Sequence, residues 1–241
     1  MIVESAFLKI PEILISHDEP DLLYEANITN LFTNGVMLEL NARNIDNPMR
    51  KIHMEKRYNP DINARCDIFL DFSSFMDTDI FNEYYIRPKA WIEAKYFGSI
   101  NRNKGHETKS ENAGSIIFDI FRLIKLTHDQ ENKLDAKYSL NIFNDESSKY
   151  LAYSRQDRTI RSWIKAITSY GISKLHFDLK DEPRSIRQIF TGVESLVIDA
   201  RIKNTVFEPL CVSSSGIRFH GYLSQIISYD MIIDGVHYSS L

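Results

Sequence analysis

The chain has 241 residues, 43% of them apolar and 26% charged, and a formal net charge of −4. That length buries one good core and the composition is ordinary for a globular domain, so wholesale disorder, collagen-like repeats and coiled coils fit poorly. A negative chain does not coat nucleic acid by bulk charge, and any such partner needs a local basic face. No run of 18 apolar residues occurs, and Glu4, Lys9 and Pro11 interrupt the apolar N-terminus, so neither a membrane span nor export is expected. Cys66, Cys211 and the scattered histidines match no zinc spacing, and a cytoplasmic protein with reduced thiols is the simplest expectation. P-loop, Rossmann and HNH-type signatures are missing, so no nucleotide cofactor is expected.

Residues 18 to 41 read as helical, with Leu22, Leu23, Ala26, Leu31, Phe32 and Leu38 at roughly helical spacing and Asn34-Gly35 as an interruption that allows two helices. Lys51 to Asn59 alternates as a half-buried strand, followed by a polar turn at 59–64. Cys66 to Phe72 and Ala90 to Phe97 read as two further strands, joined by a connection with room for a short helix around 75–81, and together the three make a meander. The polar stretch from Gly98 to Lys109 is a surface loop, Ser110 an N-cap, and Glu111 to Thr127 a buried helix with a narrow stripe of Asp119, Arg122 and Lys125. Tyr138 to Asn144 alternates as a strand. Arg155 to Tyr170 reads as an amphipathic helix ended by Gly171. Further strands are expected at 174–179, 195–203 and 207–212, with 217–234 open between strand and helix.

Two segments carry chemistry. Asp67 opens an apolar strand, and Glu93 and Lys95 stand two apart in another, so they leave the same face while Ile92, Ala94 and Tyr96 pack opposite. If the two strands are neighbours, the carboxylates of Asp67 and Glu93 converge and hold one hard divalent cation, with Lys95 beside its bound water. Phosphodiester hydrolysis at neutral pH needs a strong nucleophile and neutralisation of charge on the phosphoryl oxygens. Mg2+ serves both needs with only one or two carboxylate ligands, Mn2+ being a substitute, and the ammonium orients water, exchanges a proton or stabilises the transition state.

The Asp67 strand start, the Glu93-Ala94-Lys95 triplet and the order of elements around them resemble the PD-(D/E)xK nuclease superfamily over roughly residues 20 to 143. The resemblance implies an α/β fold of the restriction-endonuclease-like kind, a mixed central sheet flanked by helices, here with a β-rich extension over 144–241 in one domain spanning 1–241. It also implies that Asp67 and Glu93 bind the metal, that Lys95 is the catalytic lysine, and that an upstream acid assists; Glu25 is favoured for that role over Glu55. Pro60-Asp61 is a literal Pro-Asp pair but lies in the polar turn, and Asp71 shares the face of Asp67 at the far end of its strand.

Glu93 and Lys95 also suit the solvated face of an edge strand. The apolar helix at 111–127 argues instead for a covered sheet, where two charges need a reason. Arg155, Arg158, Arg161 and Lys165 form a stripe without balancing acid, and Arg102, Lys104, His106 and Lys109 lie in the polar loop; Arg102, Lys104, Lys109 and the stripe are the candidate nucleic-acid contacts. No G-x-S-x-G elbow supports a serine nucleophile near Ser213. The expectation is therefore a Mg2+-dependent DNA endonuclease of restriction or defence type, with a homodimer suited to cutting two strands. The rivals are an inactive nucleic-acid-binding or interaction module on the same scaffold, and a metal-independent ribonuclease using a histidine such as His106.

Overall fold

The computed structural model describes residues 2–17, 23–75, 87–98, 108–128, 133–151, 161–212, 216 and 218–240, with only the backbone of 208–212. Its centre is one sheet of eight strands: β1 (Ile52–Arg57), β2 (Arg65–Asp71), β3 (Lys89–Phe97), β4 (Ala136–Phe143), β5 (Gly171–Asp178), β6 (Leu196–Val212), β7 (Arg218–Ile233) and β8 (Val236–Ser239). The order across the sheet is β1–β2–β3–β4–β7–β6–β5, and β8 returns along the far end of β7. Among the described strands β3 and β4 are parallel and the other neighbours antiparallel. The parallel pair follows from its connection, because the long helix between β3 and β4 carries the chain back across the sheet before β4 begins.

The helices are α1 (Ile2–Leu8), α2 (Ile10–Ile15), α3 (Glu25–Ala42), α4 (Lys109–His128), α5 (Ser147–Leu151), α6 (Ser162–Thr168) and α7 (Arg184–Arg187). They cover both faces. Ile68, Leu70, Ile92 and Ala94 pack on one side with Phe7, Ile28, Phe32 and Val36 of α1 and α3. Phe69, Trp91 and Phe97 pack on the other with Ile116, Ile117, Ile120 and Ile124 of α4. Every residue of β4 is buried, as a strand enclosed on two faces requires.

The meander, α4 and β4 stand where their apolar patterns place them. Five expectations are corrected. No interruption occurs at Asn34-Gly35: α3 is continuous from Glu25 to Ala42, and Gly35 serves close packing, since a Cβ there would stand 2.5 Å from the carbonyl oxygen of Ala6. β1 is an exposed edge strand from His53 to Arg57, not a half-buried one. Ser110 lies inside the first turn of α4, whose start is fastened instead by Thr108 and Glu111; the Thr108 N–H donates to Glu111 Oε2 at 2.6 Å and the Glu111 N–H to Thr108 Oγ1 at 3.3 Å. Residues 155–160 of the expected 155–170 helix lie outside the described residues and α6 is the helix in its described part; Gly171, at φ 87°, opens β5 rather than capping a helix. The expected strands at 195–203 and 207–212 are one strand with irregular register, and 217–234 resolves as strand β7. The expected helix around 75–81 lies almost wholly outside the described residues. No helix among the described residues is long and apolar enough to cross a membrane.

Candidate active site

The ladder between β2 and β3 runs from Asp71–Lys89 to Ile68–Ile92 and stops there. Asp67 and Glu93 are the next residues on each strand. Asp67 Oδ2 accepts the backbone N–H of Ala94 at 2.6 Å, so a carboxylate takes a donor that a regular ladder would use. On the other side of β2, Met54 pairs with Ile68 and Lys56 with Cys66, but Glu55, level with Asp67, pairs with nothing in the ladder and has φ 53°. A non-glycine residue in the left-handed region costs on the order of 1 kcal/mol. It also resets the alternation of β1: the His53 ring, 5.8 Å from Phe69, and the Lys56 ammonium, 5.7 Å above that same ring, lie on one face.

Glu93 is buried, at 2% exposure. Its Oε1 accepts the Tyr58 hydroxyl and lies 3.4 Å from a guanidinium nitrogen of Arg122 on α4. Burial, with the nearby charge of Asp119, pushes its carboxyl up to about 9 despite Arg122. Two residues on, the Lys95 ammonium lies 3.4 Å from Glu25 Oε1 and 3.4 Å from Asp119 Oδ2. Burial alone would pull this lysine down, but the carboxylates of Asp119, Glu25, Asp67 and Glu93 hold it above the ordinary lysine range.

Asp119, in sequence a member of the narrow polar stripe of α4, is the further residue of the site. It comes from the middle of α4, is buried, and meets Lys95 and, at 3.6 Å, Arg122. Burial pushes its carboxyl up to about 6 against the pull of both cations, and its Oδ2 receives no aligned hydrogen bond. The available signal was an Asp and an Arg three apart on an otherwise apolar helix, where a buried charge needs a counter-charge. Six ionisable groups thus form one connected cluster: Asp67, Glu93, Asp119 and Glu25 against Lys95 and Arg122. Fully ionised, the carboxylates outnumber the cations.

Asp67, Glu93, Lys95 and Glu25 are therefore brought together, and Glu25 rather than Glu55 touches the lysine. Glu55 is exposed on β1. Asp61 sits in the polar turn, where its N–H donates to Asn59 Oδ1, and Asp71 is paired with Lys89 at the far end of β2. Of the basic candidates, Arg102, Lys104, Arg155 and Arg158 lie outside the described residues, as does His106. Lys109 and Lys165 are exposed on helices. Arg161 is a correction: it does not stand in an unbalanced stripe but donates to buried Glu182 at 2.9 Å and to the Asp181 carbonyl at 3.0 Å.

Among the described residues no set of three or more His, Cys, Asp and Glu side chains is arranged to hold a metal. Two carboxylates, Asp67 and Glu93, fall below that number and equal what Mg2+ takes from protein. The raised carboxyls of buried Glu93 and Asp119, in a cluster of four carboxylates and two cations, fit an added cation electrostatically. Comparison with protein-family models, with curated proteins and with solved structures found no match.

Proposed function

We propose that this chain is a Mg2+-dependent nuclease of the PD-(D/E)xK type, hydrolysing phosphodiester bonds in DNA as an endonuclease of restriction or defence type, with a homodimer placing one site on each strand. The observation that carries the reading is the convergence of Asp67, Glu93 and Lys95 where the β2–β3 ladder opens. The succession α3, β1, β2, β3, α4, β4, with antiparallel β1–β2–β3 and β4 parallel to β3, supports it at the level of topology. Asp67 and Glu93 would hold the ion, which when bound supplies a polarised water and charge neutralisation at the phosphoryl oxygens. Lys95, kept charged between Glu25 and Asp119, serves as a fixed positive charge and proton donor toward the phosphate rather than as a base. Asp119 and Glu25 orient that ammonium, and Arg122 with Tyr58 fixes the Glu93 carboxyl.

One observation favours a second reading, a nucleic-acid-binding module without turnover. Arg122 already supplies a built-in cation to Glu93 and Asp119. Incubation of plasmid and oligonucleotides with Mg2+ separates the two. Cleavage by wild type, lost in Asp67→Ala and Lys95→Ala, is the expected result. Equal cutting by all three removes the site, and no cutting by any leaves the binding module.

A further inference from the structure

We propose that a cavity at the β1–β2 edge is a binding subsite for a backbone phosphate of the nucleic acid; the identity of that ligand rests on the nuclease reading above. The cavity, about 310 Å³, lies between the 3-10 turn Pro48–Lys51 and the end of β2, and is lined by Arg50, Lys51, His53, Asp71, Ser73 and Ser74. All six are polar. Among the described residues no carboxylate forms an ion pair with Arg50 or Lys51. The Lys51 ammonium donates to Ser74 Oγ and lies 5.9 Å from the Phe75 ring centroid, so it is held at the wall rather than swinging in solvent. Asp71, the carboxylate of the lining, accepts the Ser73 N–H at 3.0 Å and carries hydrogen-bonding demand of its own. A guanidinium, an ammonium, an imidazole and two hydroxyls around one small space suit a tetrahedral oxyanion that takes several donors at once.

The cavity is one end of a basic edge. From Pro48 to Arg65 the chain carries Arg50, Lys51, Lys56, Arg57 and Arg65 against Glu55 and Asp61, a local excess of three positive charges in a chain of net charge −4. β1 exposes His53 through Arg57 along this edge, and Glu55 stands level with Asp67. From Asp67 to Asp71 is four residues of extended strand, about 13 Å. A duplex strand rises about 3.4 Å per nucleotide along its axis, and its phosphates lie farther apart than that because they also turn about the axis, so about 13 Å reaches a phosphate close to the scissile one in the same strand. A nucleic acid strand whose scissile phosphate sits at Asp67 and Lys95 therefore has a later phosphate within reach of Arg50 and Lys51. Lysines on an edge strand also block sheet-to-sheet association, but that function needs neither a cavity nor the paired serines.

The test uses the full chain in EDTA, so that binding is read without cleavage. Anisotropy of a labelled DNA duplex is measured from about 50 to 200 mM salt for wild type, for Arg50→Ala/Lys51→Ala, and for Lys180→Ala, an exposed cation elsewhere. The double variant is expected to bind about tenfold more weakly or worse, with a log–log salt slope shallower by about one per lost phosphate contact, while Lys180→Ala stays at the wild-type value. Unchanged affinity and slope in the double variant overturns the subsite, as does a wild type that binds no duplex. Inorganic phosphate distinguishes the source: if it raises the melting temperature of wild type but not of the double variant while duplex affinity is equal, the cavity takes free phosphate and the backbone assignment fails. Weakened duplex binding without Mg2+-dependent cleavage sinks the nuclease reading alone, and cleavage with unchanged binding sinks the subsite alone.

Discussion

Asp67 and Ala94 are tied across two strands by a side chain: Asp67 Oδ2 accepts the Ala94 N–H at 2.6 Å, where the β2–β3 ladder has just ended at Ile68–Ile92. The carboxylate both closes the open ladder and stands beside Glu93. Asp67→Asn keeps an acceptor for that N–H, whereas Asp67→Ala leaves it bare, so Ala is expected to cost about 1–3 kcal/mol and Asn clearly less. Urea denaturation checks the difference, and both variants are expected to lose cleavage.

Lys95 neutralises Asp119 and Glu25 at 3.4 Å each. Lys95→Met removes that charge and leaves buried Asp119 with Arg122 alone. Because Lys95 is partly exposed, the expected loss is about 2–3 kcal/mol, below the full cost of breaking a buried pair. Adding Asp119→Asn should recover most of the stability and none of the activity, a separation that denaturation and cleavage assays on the same proteins would show.

Glu93 and Asp119 hold carboxyls raised to about 9 and about 6 by burial, above their ordinary range near 4. A group raised in the folded state keeps its proton longer there than in the unfolded chain, so stability falls as pH rises between the unfolded and folded values. The urea midpoint should therefore drop from about pH 5 to about pH 8, below the range where Lys137, pushed down by burial to about 8, matters. Glu93→Gln should flatten the profile. Added Mg2+ should raise the wild-type midpoint most at the alkaline end, where both carboxylates are ionised, and do less for Glu93→Gln.

Arg161 and the Trp163 indole N–H both donate to Glu182, at 2.9 and 3.0 Å, and Glu182 is 5% exposed. Arg161→Ala should cost about 2–3 kcal/mol through a buried carboxylate that loses its cation, with no change in the salt dependence of DNA binding. Lys165→Ala, on the exposed side of α6, should leave stability within about 0.5 kcal/mol. A large change in binding for Arg161→Ala with unaltered stability would contradict the structural assignment.

Gly35→Ala offers a helix-propensity gain of about 1 kcal/mol in the middle of α3. The added Cβ would stand 2.5 Å from the Ala6 carbonyl oxygen and 3.2 Å from its carbon, both backbone atoms of α1. Packing is expected to win, with a net loss of about 1–3 kcal/mol and a lower thermal midpoint. A stabilised Gly35→Ala protein would show that α1 sits elsewhere.

The separate strands read at 195–203 and 207–212 illustrate one limit of local pattern. The polar stretch around Asn204 looks like a connection, yet neighbours on both sides extend the ladder through it, Asn204 pairing with Gly171 and Ser224. β1 shows another: its alternation was visible, but exposure is decided by whether a neighbouring strand or a helix covers it, and β1 is at the edge.

Period-two and helical apolar patterns determined β2, β3, β4 and α4, and with them the common face of Glu93 and Lys95, because side-chain direction in a regular element follows from residue spacing alone. Asp119 meeting Lys95, Arg122 bracing Glu93 and Glu25 reaching over from α3 were decided only by the tertiary structure. Those contacts depend on how helices seat against the two faces of the sheet, a relation between distant segments that residue spacing does not encode.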